Sequence, residues 1–391
     1  MYPDLSYIFH AIFGTSVGNW TSIFKTFGLF LTFSFFVSAY FLYLELRRKE
    51  AEGIIAPISV RTVIGARATP LELLLNAGLG FVLGFKLLFI ATHWADFRAD
   101  ASSVVLSAAG SWLGGLLGAI AYGTYQFWLK KQAELPEPVV QVQTMHTYDR
   151  IGDITMVAAA SGIFGAKIFA VFEDMDLFLS DPLGQLLSGS GLAIYGGLIG
   201  GFIGVFWYIK KLGIRPIHVM DAVAPALIMG YATGRLGCHF SGDGDWGIAN
   251  ELPKPAWFPF PDWLWAFSYP HNVLNEGIPI KDCVGLYCKE LSPAVFPTPL
   301  YETAMALLIA AILWALRKRI KTAGVLFFIY MILNGLERFL IEKIRINPKY
   351  DLGFAQATQA EVIAVLVFLG GIGGALFLWL TNKPKLEEKS F

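Results

Sequence analysis

Apolar blocks of about 20 residues recur along the chain, separated by short segments where the charges gather. A helix rises about 1.5 Å per residue and a bilayer core is about 30 Å thick, so each block is long enough to span. Nine such stretches are predicted, at about 25–45, 70–92, 103–128, 154–172, 191–209, 217–237, 300–316, 323–341 and 360–380. None alternates with the period of two that marks a transmembrane β-barrel. The pattern predicts an all-α polytopic membrane protein.

Composition agrees. Of 391 residues, 55% are apolar and only 15% charged, where soluble domains carry about a quarter. Thirty basic and thirty acidic residues cancel, so no overall field recruits nucleic acid. Three cysteines cannot build a disulfide scaffold.

The placement of the charges sets an expected orientation. With the N-terminus outside, the internal loops hold Arg47, Arg48, Lys49, Arg61 and Arg67, then Lys130, Lys131 and Arg150, then Lys210, Lys211 and Arg215. Arg317, Lys318, Arg319 and Lys321 follow, and finally Lys383, Lys385 and Lys389. That scheme places 18 of 30 basic residues inside. It leaves Glu173, Asp174, Asp176 and Asp181 outside, and the C-terminus inside. Residues 1–24 lack a basic n-region and a small-residue cleavage site, and are expected as an external segment ahead of a first transmembrane helix at 25–48. Residues 381–391 are expected as a cytoplasmic tail. The long segment 242–298 is rich in Trp, Pro and other aromatics, which predicts a small folded external head region and not a linker. It contains Cys283 and Cys288, either bridged or free.

The second and third spans look like a copy of the fourth and fifth. Gly84-Phe85-Lys86 recurs 81 residues later as Gly165-Ala166-Lys167. Asp100, Ser107 and Gly110 recur as Asp181, Ser188 and Gly191, and Gly114–Gly118 aligns with Gly196–Gly200. Residues 70–131 therefore read as an additional hairpin, a possible duplicate of 150–211. Close packing through small residues is the plainer explanation of the glycines alone.

Ionisable groups are costly in a membrane span and usually face a cavity or a partner. They are densest at the ends of the sixth, seventh and eighth spans. The sixth ends in Gly234-Arg235-Leu236-Gly237-Cys238-His239-Phe240-Ser241-Gly242-Asp243-Gly244-Asp245-Trp246-Gly247, with five glycines in fourteen residues. Such glycines allow tight turns and close backbone approach. The seventh opens with Pro297-Thr298-Pro299-Leu300-Tyr301-Glu302, and the eighth ends in Glu337-Arg338-Phe339-Leu340-Ile341-Glu342. Arg235 with His239, and Arg338 with Glu342, share helical faces four residues apart. Two arginines, several carboxylates and a glycine-rich turn at the membrane boundary suit a phospholipid headgroup, because guanidinium binds phosphate as a bidentate fork. Pairing that merely stitches helices together is the alternative.

The stretch Gly234–Gly247 resembles the signature of the prolipoprotein diacylglyceryl transferase family, roughly Gly-Arg-x-Gly-Asn-Phe-x-Asn-x-Glu followed by an aromatic residue and glycine. Tyr195-Gly196-Gly197 is similar to the family's His-Gly-Gly, and Asp221 to Pro225 to its Asp-x-x-Ala-Pro. Phe296 to Glu302 resembles His-Pro-Ser-Gln-Leu-Tyr-Glu, and Arg338 to Glu342 resembles Arg-x-x-x-Glu. Gln359 lies where the family opens its last span with Gln. The likeness covers the first span and a transferase core at 149–380, with the additional hairpin outside it.

The resemblance implies transfer of a diacylglyceryl group from phosphatidylglycerol to the lipobox cysteine of a prolipoprotein signal peptide, in a bacterial cytoplasmic (inner) membrane with the site near the periplasmic side. A thioether forms and glycerol phosphate leaves; neither a cofactor nor a metal is required. It also implies roles. Arg235 and Arg338 would clamp the phosphate, while Asp243 and Glu342 would orient them or take up the thiol proton. Gly196, Gly197, Gly242 and Gly247 would admit the glycerol backbone, and Tyr301 and Glu302 would line the site. Five departures stand out: Tyr195 and Phe296 replace family histidines, Cys238 replaces the signature Asn, Asp243 is shorter than the signature Glu, and one residue is inserted before Trp246. His239 offers a substitute base; Cys238 reads as a packed thiol near the lipid. Lys167 is expected to neutralise a carboxylate or a phosphate, and Lys86 to be its echo. A related transferase with another donor or acceptor, and a non-catalytic lipid binder, scaffold or transporter, are the competing readings.

Overall fold

Where the apolar blocks fall, the chain is helical. The computed structural model describes residues 1–99, 104–105, 107–182, 193–351 and 356–381. Asp100, Ser188, Gly191, Lys383, Lys385 and Lys389, used above for the repeat and the orientation, lie outside the described residues. Among the described residues, nine helices have 18 residues or more. They are α1 (Thr26–Ala51), α2 (Pro70–Thr92), α3 (Trp112–Gln132), α4 (Ile151–Glu173) and α5 (Ile194–Lys211). The others are α6 (Pro216–Ser241), α7 (Thr298–Leu316), α8 (Val325–Glu342) and α9 (Gln359–Thr381). Five are long and apolar enough to cross a membrane: α1, α2, α4 with the turn before it (Thr147–Phe172), α7 and α9.

The third block departs from its predicted bounds. Its helix begins at Trp112, not near residue 103, for two local reasons. Ser111 caps it, its hydroxyl accepting from the Gly114 N–H at 3.2 Å. Ahead of the cap, the Lys86 ammonium takes the carbonyls of Val104 (3.0 Å), Ala109 (2.9 Å) and Ser107. Backbone acceptors committed to an ammonium are not free to continue a helix.

The chain forms two compact units: Met1–Ile55 with Arg215–Phe391, and Ala56–Ile214. In the second, β1 (Ile58–Ile64) pairs antiparallel with β2 (Val139–Met145), closing the two ends of the α2–α3 hairpin in segments read from sequence as plain loops. The two hairpins of this unit use the same helix crossing. A Cβ on Gly84 would lie 2.2 Å from the Gly114 carbonyl oxygen, and one on Gly165 would lie 2.3 Å from that of Gly196. The Ser111 N–H donates to Phe85 O at 2.9 Å, and the Ala193 N–H to Ala166 O at 3.1 Å. Equivalent positions are 81 or 82 residues apart.

In the first unit, α6, α7 and α8 share a core of small and branched residues, including Ala224, Ile228, Ala232, Ala306, Ile309 and Leu313. The alanines let the helices approach closely. At one pole Asp221 of α6 accepts from the Gly324 N–H (2.8 Å) and the Phe327 N–H (3.1 Å), capping α8 where its own N-cap has no side chain. Lys49 of α1 sits 3.8 Å from Asp221, and buried Glu45 pairs with Arg317 of α7 at 2.8 Å. Four helix ends are tied there. Residues 242–298 add a compact cap with a short helix at Asp262–Trp265, a two-residue ladder and a Cys283–Cys288 disulfide. Asp221→Ala is expected to cost about 3–5 kcal/mol, because it strands a buried lysine as well as the cap. Thermal unfolding in detergent measures this, and Asp221→Asn, which keeps an acceptor, should lose less.

Candidate active site

At the opposite pole of the first unit, the end of α6, the start of α7 and the end of α8 meet. Gly242 terminates α6 with φ 64°, its N–H donating to Cys238 O at 3.0 Å. The chain then turns through Asp243 and Asp245 to Gly247. There the Gly247 N–H donates to Phe296 O (2.9 Å) and the Ile248 N–H to Ile344 O (2.8 Å). A Cβ on Gly247 would lie 2.5 Å from the Ile344 carbonyl oxygen, so only glycine permits this approach. The stitch draws the segment after α8, with Arg345, onto the loop.

Glu302, one turn into α7 and fully buried, is the centre of the resulting charge cluster. Arg235 Nε lies 3.1 Å from its Oε2, an ion pair without hydrogen-bond alignment. Arg338 Nη1 and Arg345 Nη1 donate to its Oε1 at 3.2 and 3.3 Å. Asp245 bridges Arg235 and Arg345, one carboxylate oxygen to each. Glu342 pairs with Arg338 at 3.0 Å and accepts from Asn347 Nδ2 at 2.6 Å. Three guanidiniums thus face three carboxylates. The Arg235 and Arg338 side chains remain 16% and 23% exposed, so neither is sealed off from the surface.

Electrostatics follow these partners. Burial alone would raise the Asp245 carboxyl, but Arg235 and Arg345 outweigh it and hold the group at about 2. Burial, and then the neighbouring Asp245, push the Asp243 carboxyl up. Ligand atoms of Cys238, Asp243 and Asp245 lie within 4.8 Å of one another, but both Asp245 oxygens are already engaged by arginines. Beside the cluster lies an apolar cavity of about 370 Å³, lined by Trp257, Trp265, Phe296, Tyr301, Met305 and Leu340 among others.

The family model for prolipoprotein diacylglyceryl transferase matches residues 115–379. The chain belongs to the prolipoprotein diacylglyceryl transferase family. The match begins inside α3, and so takes in the second helix of the additional hairpin. The chain is similar to the phosphatidylglycerol–prolipoprotein diacylglyceryl transferase of Lysinibacillus sphaericus, 26% identical over 242 residues, or 61% of this chain and 80% of that protein. It is also similar to the enzyme so named in Dehalococcoides mccartyi, 25% identical over 277 residues (70% and 90%). That of Leptospira interrogans is 30% identical over 279 residues (58% and 78%).

Of the positions that resemble the transferase family's motifs, the structure brings together Arg235, Glu302, Arg338 and Glu342. Cys238 is buried beneath Arg235, its Sγ 3.8 Å from Nη1. Asp243, read as the signature carboxylate, accepts from the Asp245 N–H at 3.3 Å; the carboxylate paired with the arginines is Asp245. His239 is buried among Phe240, Phe267 and Tyr269, with Nδ1 3.2 Å from the Tyr269 hydroxyl. The Tyr301 hydroxyl donates to Leu264 O, bracing the head. At Gly242 a Cβ would lie 2.9 Å from Asn272 Cβ, so protein fills that space, as it does at Gly247. Tyr195, Gly196 and Gly197 lie in the second unit at the start of α5, where Gly196 packs against Gly165 and Phe169.

Two site residues escaped the sequence reading. Asp245 lies in the glycine-rich turn just before Trp246. Arg345 lies just past the end of α8 and reaches the cluster through the backbone stitch between Ile344 and Ile248, which no sequence spacing reveals. Asp245 also sets a pH dependence. A carboxyl at about 2, against about 3.9 when unfolded, contributes stability on the order of 2 kcal/mol. That contribution is complete above about pH 4 and is lost as pH falls toward 2. Melting curves of wild type between pH 6 and pH 2 should therefore fall more steeply than those of Asp245→Asn.

Proposed function

We propose that the protein transfers the diacylglyceryl group of phosphatidylglycerol to the cysteine thiol of prolipoproteins, the acceptor being the lipobox cysteine of the signal peptide. The observation that carries this reading is the arginine cluster: guanidiniums from two helices are fixed around one buried carboxylate and remain partly exposed. In the reaction the carbon–oxygen bond from the diacylglyceryl carbon to phosphate breaks, a carbon–sulfur bond forms, and the thiol proton ends on the departing glycerol phosphate. Charge accumulates on phosphate oxygen as it leaves. Preorganised bidentate donors at that position lower the barrier most.

Arg235 and Arg338 hold the phosphate, and Glu302, Asp245 and Glu342 fix their orientation. Arg345 completes the cluster from behind. One acyl chain lies in the apolar cavity beside Tyr301 and Phe296. Asp243 borders the headgroup. The roles of Tyr195, Gly196 and Gly197 rest on the resemblance alone. All nine long helices serve as membrane spans, with the N-terminus outside and the C-terminus inside. The α2–α3 hairpin is a duplicate of α4–α5, and 242–298 forms the external head. In this orientation the site faces the periplasm from a bacterial cytoplasmic membrane and is reached laterally by lipid and by a signal peptide.

Purified protein with phosphatidylglycerol and a lipobox peptide should add one diacylglyceryl group to the thiol, read as a mass shift. Arg338→Ala should reduce the rate about 10²-fold or more, as expected for loss of a charge-stabilising donor. Arg235→Lys should also be severely impaired, because an ammonium lacks the planar fork. Full activity in that variant would rule out the clamp.

A further inference from the structure

The reaction requires the acceptor thiol to lose its proton before sulfur attacks. The two positions where the family carries histidine hold Tyr195 and Phe296, and His239 is packed into the aromatic core of the head. A different proton acceptor stands inside the helix bundle. Glu337 precedes Arg338 on α8 and is 3% exposed. Among the described residues it makes no ion pair, and its buried Oε2 has no hydrogen-bond partner. Its Oε1 lies 3.5 Å from the hydroxyl of Tyr231 on α6. Tyr231 is only partly buried, and the Arg235 guanidinium lies 5.2 Å from its ring centre.

Every other carboxylate within the arginine cluster is held by a guanidinium; Glu337 is not. A buried carboxyl without a cation costs stability that an apolar residue of the same volume would not. Ionisable groups of this kind at membrane depth mark function. The groups that face it are Tyr231 and Arg235 from α6, Glu302 from α7, and Tyr330 and Arg338 from α8. The two arginines are already engaged by Glu302, Asp245 and Glu342, which leaves the Tyr231 hydroxyl as the link between Glu337 and the phosphate clamp.

We propose that Tyr231 and Glu337 relay the proton of the acceptor thiol, an inference that rests on the transferase reading above. The S–H bond of the substrate cysteine breaks as its proton passes to the Tyr231 oxygen, and the proton of Tyr231 moves to Glu337 Oε1. Sulfur then attacks the diacylglyceryl carbon, and the electron pair of the breaking carbon–oxygen bond stays on phosphate. Glu337 returns the proton through Tyr231 to the departing glycerol phosphate, so no proton is gained or lost overall. Tyr231 touches the thiol; Glu337 is a positioning residue that acts through it.

The test measures transfer rates on the full-length protein in detergent, from pH 6 to pH 10, with phosphatidylglycerol and a cysteine peptide. Glu337→Gln and Tyr231→Phe should each lose about 10²–10⁴-fold at pH 7 with the KM for lipid little changed. Both should recover as pH rises past about 8.5 and the thiol ionises unaided. Glu337→Asp should keep part of the rate. Melting curves establish that each variant is folded, and Tyr231→Phe, which leaves the carboxyl in place, carries the test if Glu337→Gln does not fold. An equal loss at every pH in a folded variant, or no loss, overturns the relay. Wild-type protein that modifies the peptide neither with phosphatidylglycerol nor with total membrane lipid overturns the transferase reading, and the relay with it.

Discussion

Three guanidiniums cannot share one partly dry site unless a carboxylate stands among them, and Glu302 meets that condition. Like charges a few ångströms apart repel by several kcal/mol where the dielectric is low. Fully buried between three helices, Glu302 pairs with Arg235, Arg338 and Arg345 at 3.1 to 3.3 Å. Asp245 and Glu342 complete the neutralisation from either side. A cluster of this kind is weak evidence of stability, since desolvation offsets much of the attraction. On the proposed reading it is preorganisation: arginines already held in place by carboxylates need little rearrangement when a phosphate arrives.

The rest of the first unit serves to hold that arrangement in place. Alanines in α6 and α7 bring the helices close enough for side chains from three elements to reach one carboxylate. At the far pole, Asp221, Lys49, Glu45 and Arg317 fix the same helices against sliding. Gly247 admits the backbone of Ile344 and thereby delivers Arg345. A rigid frame at both ends suits chemistry that depends on displacement geometry.

Much of this was legible in the sequence, and the exceptions have physical reasons. Helices fall on the apolar blocks because the bilayer demands length and internal hydrogen bonding. The late start of α3 was hidden, because it depends on Lys86 drawing carbonyls from a segment that is itself apolar. The β1–β2 ribbon was missed because its strands lie 75 residues or more apart and show their pairing only in three dimensions. In the site, Arg235, Arg338, Glu342 and Glu302 were found from charge at span ends and i, i+4 spacing. A motif fixes order but not which of two carboxylates turns inward, so it points to Asp243 where the structure pairs Asp245 with the arginines. His239 does share a helical face with Arg235, yet the helix ends there and Tyr269 of the head takes its imidazole. Arg345 lies beyond the helix, where no periodicity points to it.

If Glu302 organises the phosphate clamp, Glu302→Gln should disable it. The substitution keeps the side-chain shape, removes the charge and turns one acceptor oxygen into a donor. Transfer of diacylglyceryl from phosphatidylglycerol to a cysteine peptide, measured on protein shown to be folded by its melting curve, should fall by about 10²-fold or more. A folded Glu302→Gln protein that transfers at the wild-type rate would show that Glu302 does not organise the clamp.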